Sequence, residues 1–174
     1  MPDNIPLCVR LLDKTNSIVT SLTAAFILYT RSAGAVYFAA GAVLCSITVK
    51  IVKRFVRQER PVQTITGRRK KTYGMPSTHS AVITYYAVYS ALACTYLPIH
   101  PLLPMGEMSR TIPVLVVVPW AVTVAVSRIW LGHHTWPQVA AGCTYGALFA
   151  PLWFRLWTSG ANGYGRMLEH AFFG

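Results

Sequence analysis

Five apolar runs divide this chain, and between them lie short polar connections that carry most of its charge. Residues 15–30, 32–49, 79–97, 111–126 and 139–157 are almost free of acidic and basic side chains, and three of the five reach the 17 to 25 mostly apolar residues needed to cross a bilayer. Run 15–30 is short, at 16 residues, so the first two runs can also be read as a short re-entrant hairpin. Over all 174 residues 53% are hydrophobic and 12% charged, about half the charge of a soluble domain. The expected fold is therefore an all-α integral membrane bundle of about five transmembrane helices. It forms one domain over residues 1–174, with a short N-terminal segment 1–14 and a tail 158–174 left without assigned structure. Residues 1–15 contain Asp3, Arg10, Asp13 and Lys14, which does not fit a cleavable signal peptide.

The net charge of +11 comes from 16 Lys and Arg against 5 Asp and Glu. Nucleic-acid binders spread their bases over a solvated surface. Here the bases flank apolar runs, which points away from nucleic acid and towards a membrane and a phosphate-bearing substrate. Cys8, Cys45, Cys94 and Cys143 lack the close spacing of a zinc or redox motif, and three of them sit inside apolar runs as small buried side chains.

If each run crosses once, loop 54–75 and turn 132–137 share one side of the membrane and loop 98–110 lies on the other. Three polar clusters then meet on one face. Lys53 is separated by six residues from Arg60-Pro61, Pro76-Ser77-Thr78-His79 opens the third run, and Ser127-Arg128 closes the fourth with His134 following. Taken singly, bases at span ends are ordinary interface residues. Together they supply what phosphoryl transfer requires: cations and donors on the phosphoryl oxygens, with a nucleophile and an acid roughly in line. Arg60 and Arg128 each offer a planar two-pronged donor, and Lys53 a compact charge. Ser77 offers a hydroxyl, and the Thr78 and His79 amides a helix N-terminus. His134 and His79 are the histidines able to attack phosphorus and to protonate the leaving oxygen.

This ordered set resembles the type 2 phosphatidic acid phosphatase and haloperoxidase superfamily: Lys, six residues, Arg-Pro; Pro-Ser-x-His; Ser-Arg, five residues, His. The resemblance covers residues 36–157. It implies a helical membrane bundle, a phosphohistidine intermediate on His134 rather than its neighbour His133, and His79 as acid. It also implies a phosphate cradle of Lys53, Arg60, Ser77, Thr78, Ser127 and Arg128, with no metal or other cofactor. The superfamily usually has Gly at the place of Thr78 and Asp at the place of Gln138. As an orienting residue Gln138 keeps an oxygen for the histidine ring but brings no charge, so a weakened or silent, lipid-phosphate-binding protein stays open beside the enzyme.

The stretches 73–80 and 134–139 resemble the dolichyl diphosphatase branch, which carries Gln at that place. This implies hydrolysis of dolichyl or another polyprenyl diphosphate to the monophosphate, recycling the glycan carrier of N-glycosylation, in the endoplasmic reticulum membrane with a lumenal active face. A phosphatase for phosphatidate or sphingoid phosphates would use the same residues. The count of bases pulls the other way on orientation: Arg10, Lys14, Lys50, Lys53, Arg54, Arg57, Arg60, Arg68, Arg69, Lys70, Lys71 and Arg128 on the active face would place it in the cytosol.

Overall fold

The computed structural model describes Leu12, residues 14–62 and residues 71–173. Arg10, Arg68, Arg69, Lys70 and Cys8 lie outside the described residues. Five helices fall on the five apolar runs: α1 (Thr15–Thr30), α2 (Ala33–Val56), α3 (Thr78–Tyr96), α4 (Glu107–Trp130) and α5 (Trp136–Leu156). A sixth, α6 (Asn162–Phe173), follows a π-turn at Trp157–Ala161 in the tail. Among the described residues there is no strand. By length and composition α2 and α4 can each cross a membrane, whereas the 16 residues of α1 reach only about 24 Å.

Two helices outrun the apolar runs that announce them. Helix α2 continues to Val56 because Lys53 and Arg54 in its last turn suit the negative end of the helix dipole, so these bases extend the helix rather than end it. Helix α4 starts at Glu107, an acid favourable at an N-terminus, and continues through Pro113 and Pro119 to Trp130. The tail hides its helix behind glycines. Gly160 turns the chain with a positive φ of 143°, and Gly165 lets α6 press on the Trp157 ring and Ala33. Glu169 of α6 then accepts a 2.5 Å hydrogen bond from the Ala33 amide, satisfying one of the free donors at the start of α2.

Helices α3 and α5 form the centre. Gly142 and Gly146, one helical turn apart on α5, make the small-residue seam that lets helices in lipid approach backbone to backbone. A Cβ at Gly146 would stand 2.1 Å from the Ala81 carbonyl oxygen, and one at Gly142 2.5 Å from that of Ser77. This close approach carries the start of α3 against the start of α5, where the Ser77 amide donates to the Gln138 carbonyl at 2.9 Å. Around the seam, Cys45 and Val49 of α2 pack with Ala81, Tyr85 and Tyr89 of α3 and with Ala150 and Phe154 of α5. On the far side of α3, Ile83 and Ala87 pack with Ala121 and Val124 of α4, joined by Leu12 and Val19.

Candidate active site

The polar residues singled out in the sequence converge at one end of the bundle. Loop 57–62 leaves α2 there, α3 begins there, and α4 turns into α5 there. Lys53, Ser77, Ser127, Arg128, His134 and Gln138 are all buried, which is costly for groups of this kind unless they are held by partners.

The turn between α4 and α5 ties Arg128 to His134. The amides of His133 and His134 both donate to the Arg128 carbonyl, at 2.9 and 3.1 Å. The five-residue spacing of the motif is thus the length of one closed turn. Only 2% of the Arg128 surface is exposed. Its Nε and Nη2 donate to Ser127 Oγ at 3.3 and 3.2 Å, and Nη2 also donates to the Leu12 carbonyl. Ser127 in turn donates its hydroxyl to the Val124 carbonyl at 2.7 Å, so it lies beneath the guanidinium as a prop.

Gln138 is the hub of the network. Its Nε2 donates to the Glu59 carbonyl at 2.8 Å and to Gln58 Oε1 at 3.2 Å. The Glu59 carbonyl can only accept, so the amide faces one way, with Oε1 towards His134. There Oε1 accepts from the Thr135 amide at 3.3 Å and lies 3.1 Å from His134 Nδ1. An amide oxygen has no proton to give, so Nδ1 carries the hydrogen. The lone pair of the neutral ring is left on Nε2.

Burial, reinforced by the charges of Arg60 and Lys53, pushes the His134 pKa down to about 3, against a smaller upward pull from the Gln138 bond; His79 adds to the downward push. His134 is therefore a neutral ring across the physiological range. Burial also holds the Arg60 guanidinium below its ordinary value. Arg60 Nε donates to the carbonyls of Thr72 and Tyr73 at 3.1 and 3.3 Å, and Lys53 Nζ donates to that of Tyr73 at 3.4 Å. One backbone stretch thus gathers both cations.

Ser77 is the N-cap of α3, its Oγ accepting from the Ser80 amide at 3.4 Å and from the Ser80 hydroxyl at 2.9 Å. Its own hydroxyl proton can still be donated. Thr78 and His79 follow as the first helical residues, where amides have no intrahelical acceptor. Such an array of helix N-terminus, cations and neutral imidazole is built to receive an anion.

Four contributors were not legible as site residues in the sequence: Leu12, Gln58, Gly74 and Ser80. Gly74 donates its amide to the Gln58 carbonyl at 2.7 Å, and a Cβ there would stand 2.4 Å from Gln138 Nε2. One signal was available, because Thr135-x-x-Gln138 has the spacing of a capping box, which directs the glutamine back onto the turn. Glu59 enters through its backbone carbonyl. Among the described residues no three His, Cys, Asp or Glu side chains are grouped so as to hold a metal ion.

Comparisons with known proteins bear on the family and the fold. Residues 34–160 match the PAP2 superfamily. Dolichyldiphosphatase 1 of Rhinolophus ferrumequinum is 31% identical over 131 residues, covering 74% of this chain and 55% of that protein. Lipid phosphate phosphatase gamma of Arabidopsis thaliana is 30% identical over 128 residues, covering 73% and 55%. The chain thus spans about half the length of the curated relatives it matches. The crystal structure of a transmembrane PAP2 type phosphatidylglycerolphosphate phosphatase from Bacillus subtilis superposes with a TM-score of 0.67 at 18% identity, covering 90% of this chain and 80% of that one.

Proposed function

The chain belongs to the PAP2 superfamily, and from that membership we propose that it is a metal-independent lipid phosphatase of the membrane whose substrate is dolichyl or another polyprenyl diphosphate. The observation that carries the proposal is the neutral His134 ring, held through Nδ1 by Gln138 with its Nε2 lone pair available, in the field of Arg60 and Lys53.

In the proposed reaction, Lys53, Arg60, Arg128, the Ser77 hydroxyl and the Thr78 amide bind the oxygens of the terminal phosphoryl group. His134 Nε2 forms a bond to phosphorus as the bond to the bridging oxygen breaks. His79 gives its proton to that oxygen, and polyprenyl monophosphate leaves. A water then gives its proton to His79 and attacks phosphorus, the N–P bond breaks, and inorganic phosphate departs with His134 restored to the neutral ring. The cations matter most when charge builds on the equatorial oxygens, and they act in a buried site where little water competes. Two of the relatives are similar in different ways: one is named a dolichyldiphosphatase and the other a lipid phosphate phosphatase. We place the activity in the endoplasmic reticulum membrane, active face to the lumen, where the monophosphate would return to N-glycosylation.

Phosphate release by the purified full chain in detergent, with chelator present, tests this reading. Release is expected from dolichyl diphosphate in preference to phosphatidic acid. The reverse preference would move the function to glycerolipid phosphates. Release from neither would leave a lipid-phosphate-binding protein.

Gln138 has its own expected outcome. Gln138→Leu removes the acceptor for His134 and the anchor of loop 57–62, and kcat/KM should fall by about 10- to 100-fold, the usual range for a residue that orients a functional ligand or base. Gln138→Glu retains an acceptor for the ring but sets a carboxylate beside it, which favours the imidazolium. The acid side of its pH–rate profile should therefore shift to higher pH, and an unmoved profile would refute the orienting role.

A further inference from the structure

The first turn of α3 reverses one bond of the usual capping box. In that motif the N-cap side chain accepts from the amide three residues on, and a Glu or Gln there reaches back to accept from the N-cap amide. Here the N-cap is Ser77 and the third residue on is Ser80. The Ser77 amide already donates to the Gln138 carbonyl of α5 at 2.9 Å, so no acceptor is required of Ser80. Its hydroxyl donates instead, at 2.9 Å, to the same Ser77 Oγ that its amide reaches at 3.4 Å.

A serine hydroxyl has two lone pairs and one proton. Ser80 occupies both lone pairs of Ser77, and both residues are fully buried. No hydrogen bond among the described residues uses the Ser77 proton. A buried donor without an acceptor is costly, and a hydroxyl that accepts two hydrogen bonds becomes a stronger donor. We propose that Ser80 is a positioning residue that commits the Ser77 hydroxyl to donating into the phosphate cradle. This corner of the cradle then takes a ligand oxygen only as an acceptor, as an ionised phosphoryl oxygen is. The proposal rests on the phosphatase reading above.

The seam with α5 holds the pair in this arrangement. A Cβ on Gly142 would stand 2.5 Å from the Ser77 carbonyl oxygen, 3.2 Å from the Ser77 nitrogen and 3.1 Å from Ser80 Cβ. A helical serine commonly donates to a carbonyl three or four residues back. The carbonyl three residues back, that of Ser77, is engaged by the Ala81 amide at 3.0 Å, and the Ser80 proton goes to Oγ. Polarity matters because Ser77 stands beside the first-turn amides of Thr78 and His79, which can only donate. A hydroxyl free to turn its lone pair outward would oppose the ligand where its neighbours attract it.

The test is a double-mutant cycle of Ser77→Ala and Ser80→Ala on the full chain in detergent. It reads kcat/KM on dolichyl diphosphate, the affinity for inorganic phosphate by calorimetry, and melting. Ser80→Ala is expected to lower both kcat/KM and phosphate affinity by about tenfold, the scale for a partner that orients a functional group. Ser77→Ala is expected to cost at least as much, and the double variant should match Ser77→Ala within about twofold. A Ser80 that only supports the helix would instead cost the same factor whether or not Ser77 is present. That additive result, or unchanged phosphate affinity in a folded Ser80→Ala, overturns the proposal. If Ser80→Ala does not fold, Ser80→Cys decides, since a thiol fills the space but is a weak donor. It is expected to lose phosphate affinity as Ser80→Ala would, and full affinity overturns the proposal. Phosphate binding without turnover by the unaltered chain would remove the phosphatase reading while the cycle on phosphate affinity still decides the role of Ser80. No phosphate binding by the unaltered chain overturns both.

Discussion

His134→Asn is expected to abolish phosphate release, with kcat lower by at least about 10⁴-fold, the scale of losing a covalent nucleophile. Asparagine keeps a polar side chain in the buried position but has no nitrogen lone pair to offer phosphorus. Labelled phosphate should no longer be trapped on the protein during turnover. Near-normal release in this variant would remove the phosphohistidine from the mechanism. The same substitution has a second consequence. His134 has a folded-state pKa near 3, below its unfolded value of 6.5, so the unfolded chain binds the extra proton first. Its contribution to stability is fully present above pH 6.5 and is lost as pH falls towards 3. Within that window this one group adds up to about 1.4 kcal/mol per pH unit to acid sensitivity. In His134→Asn that part of the slope should vanish, and denaturant titrations at pH 4 and pH 7 measure it. An unchanged slope would mean that the ring is not held neutral by its surroundings.

Arg128→Ala is expected to lower kcat/KM by about 10²- to 10³-fold, the range seen when one preorganised donor to a developing charge is removed. Arg128→Lys should recover little of it. The planar guanidinium bonds Ser127 and the Leu12 carbonyl at once. An ammonium on a flexible stem cannot hold that geometry. Removal also leaves the Leu12 carbonyl and Ser127 without their donor inside the bundle, a stability cost of about 1 to 3 kcal/mol. Turnover and melting should therefore both fall in Arg128→Ala, whereas His134→Asn at pH 7 should lose turnover out of proportion to stability. A fully active Arg128→Lys would show that charge alone, without the fork, suffices.

The five apolar runs, the closing bases and the spacings Lys53 to Arg60, Ser77 to His79 and Arg128 to His134 lie in the sequence because they are local. A helix needs only its own residues to be apolar, and a turn from Arg128 to His134 needs only five residues to close. The Gln138 oxygen reaching His134 is local in the same sense, four residues along one turn. Boundaries were less legible, since Lys53 and Arg54 look like an end in hydropathy yet favour the last turn of a helix, and the glycines of 160–165 conceal α6. Only the tertiary structure decided why the orienting residue is an amide. Gln138 must accept from His134 and donate to Glu59 and Gln58, 79 and 80 residues away in the chain, and a carboxylate has no proton for the second task. The tertiary structure alone likewise brought Leu12 to Arg128. Such contacts depend on how closely Gly142 and Gly146 let two helices approach, and no pattern of residues along one helix records its distance from another.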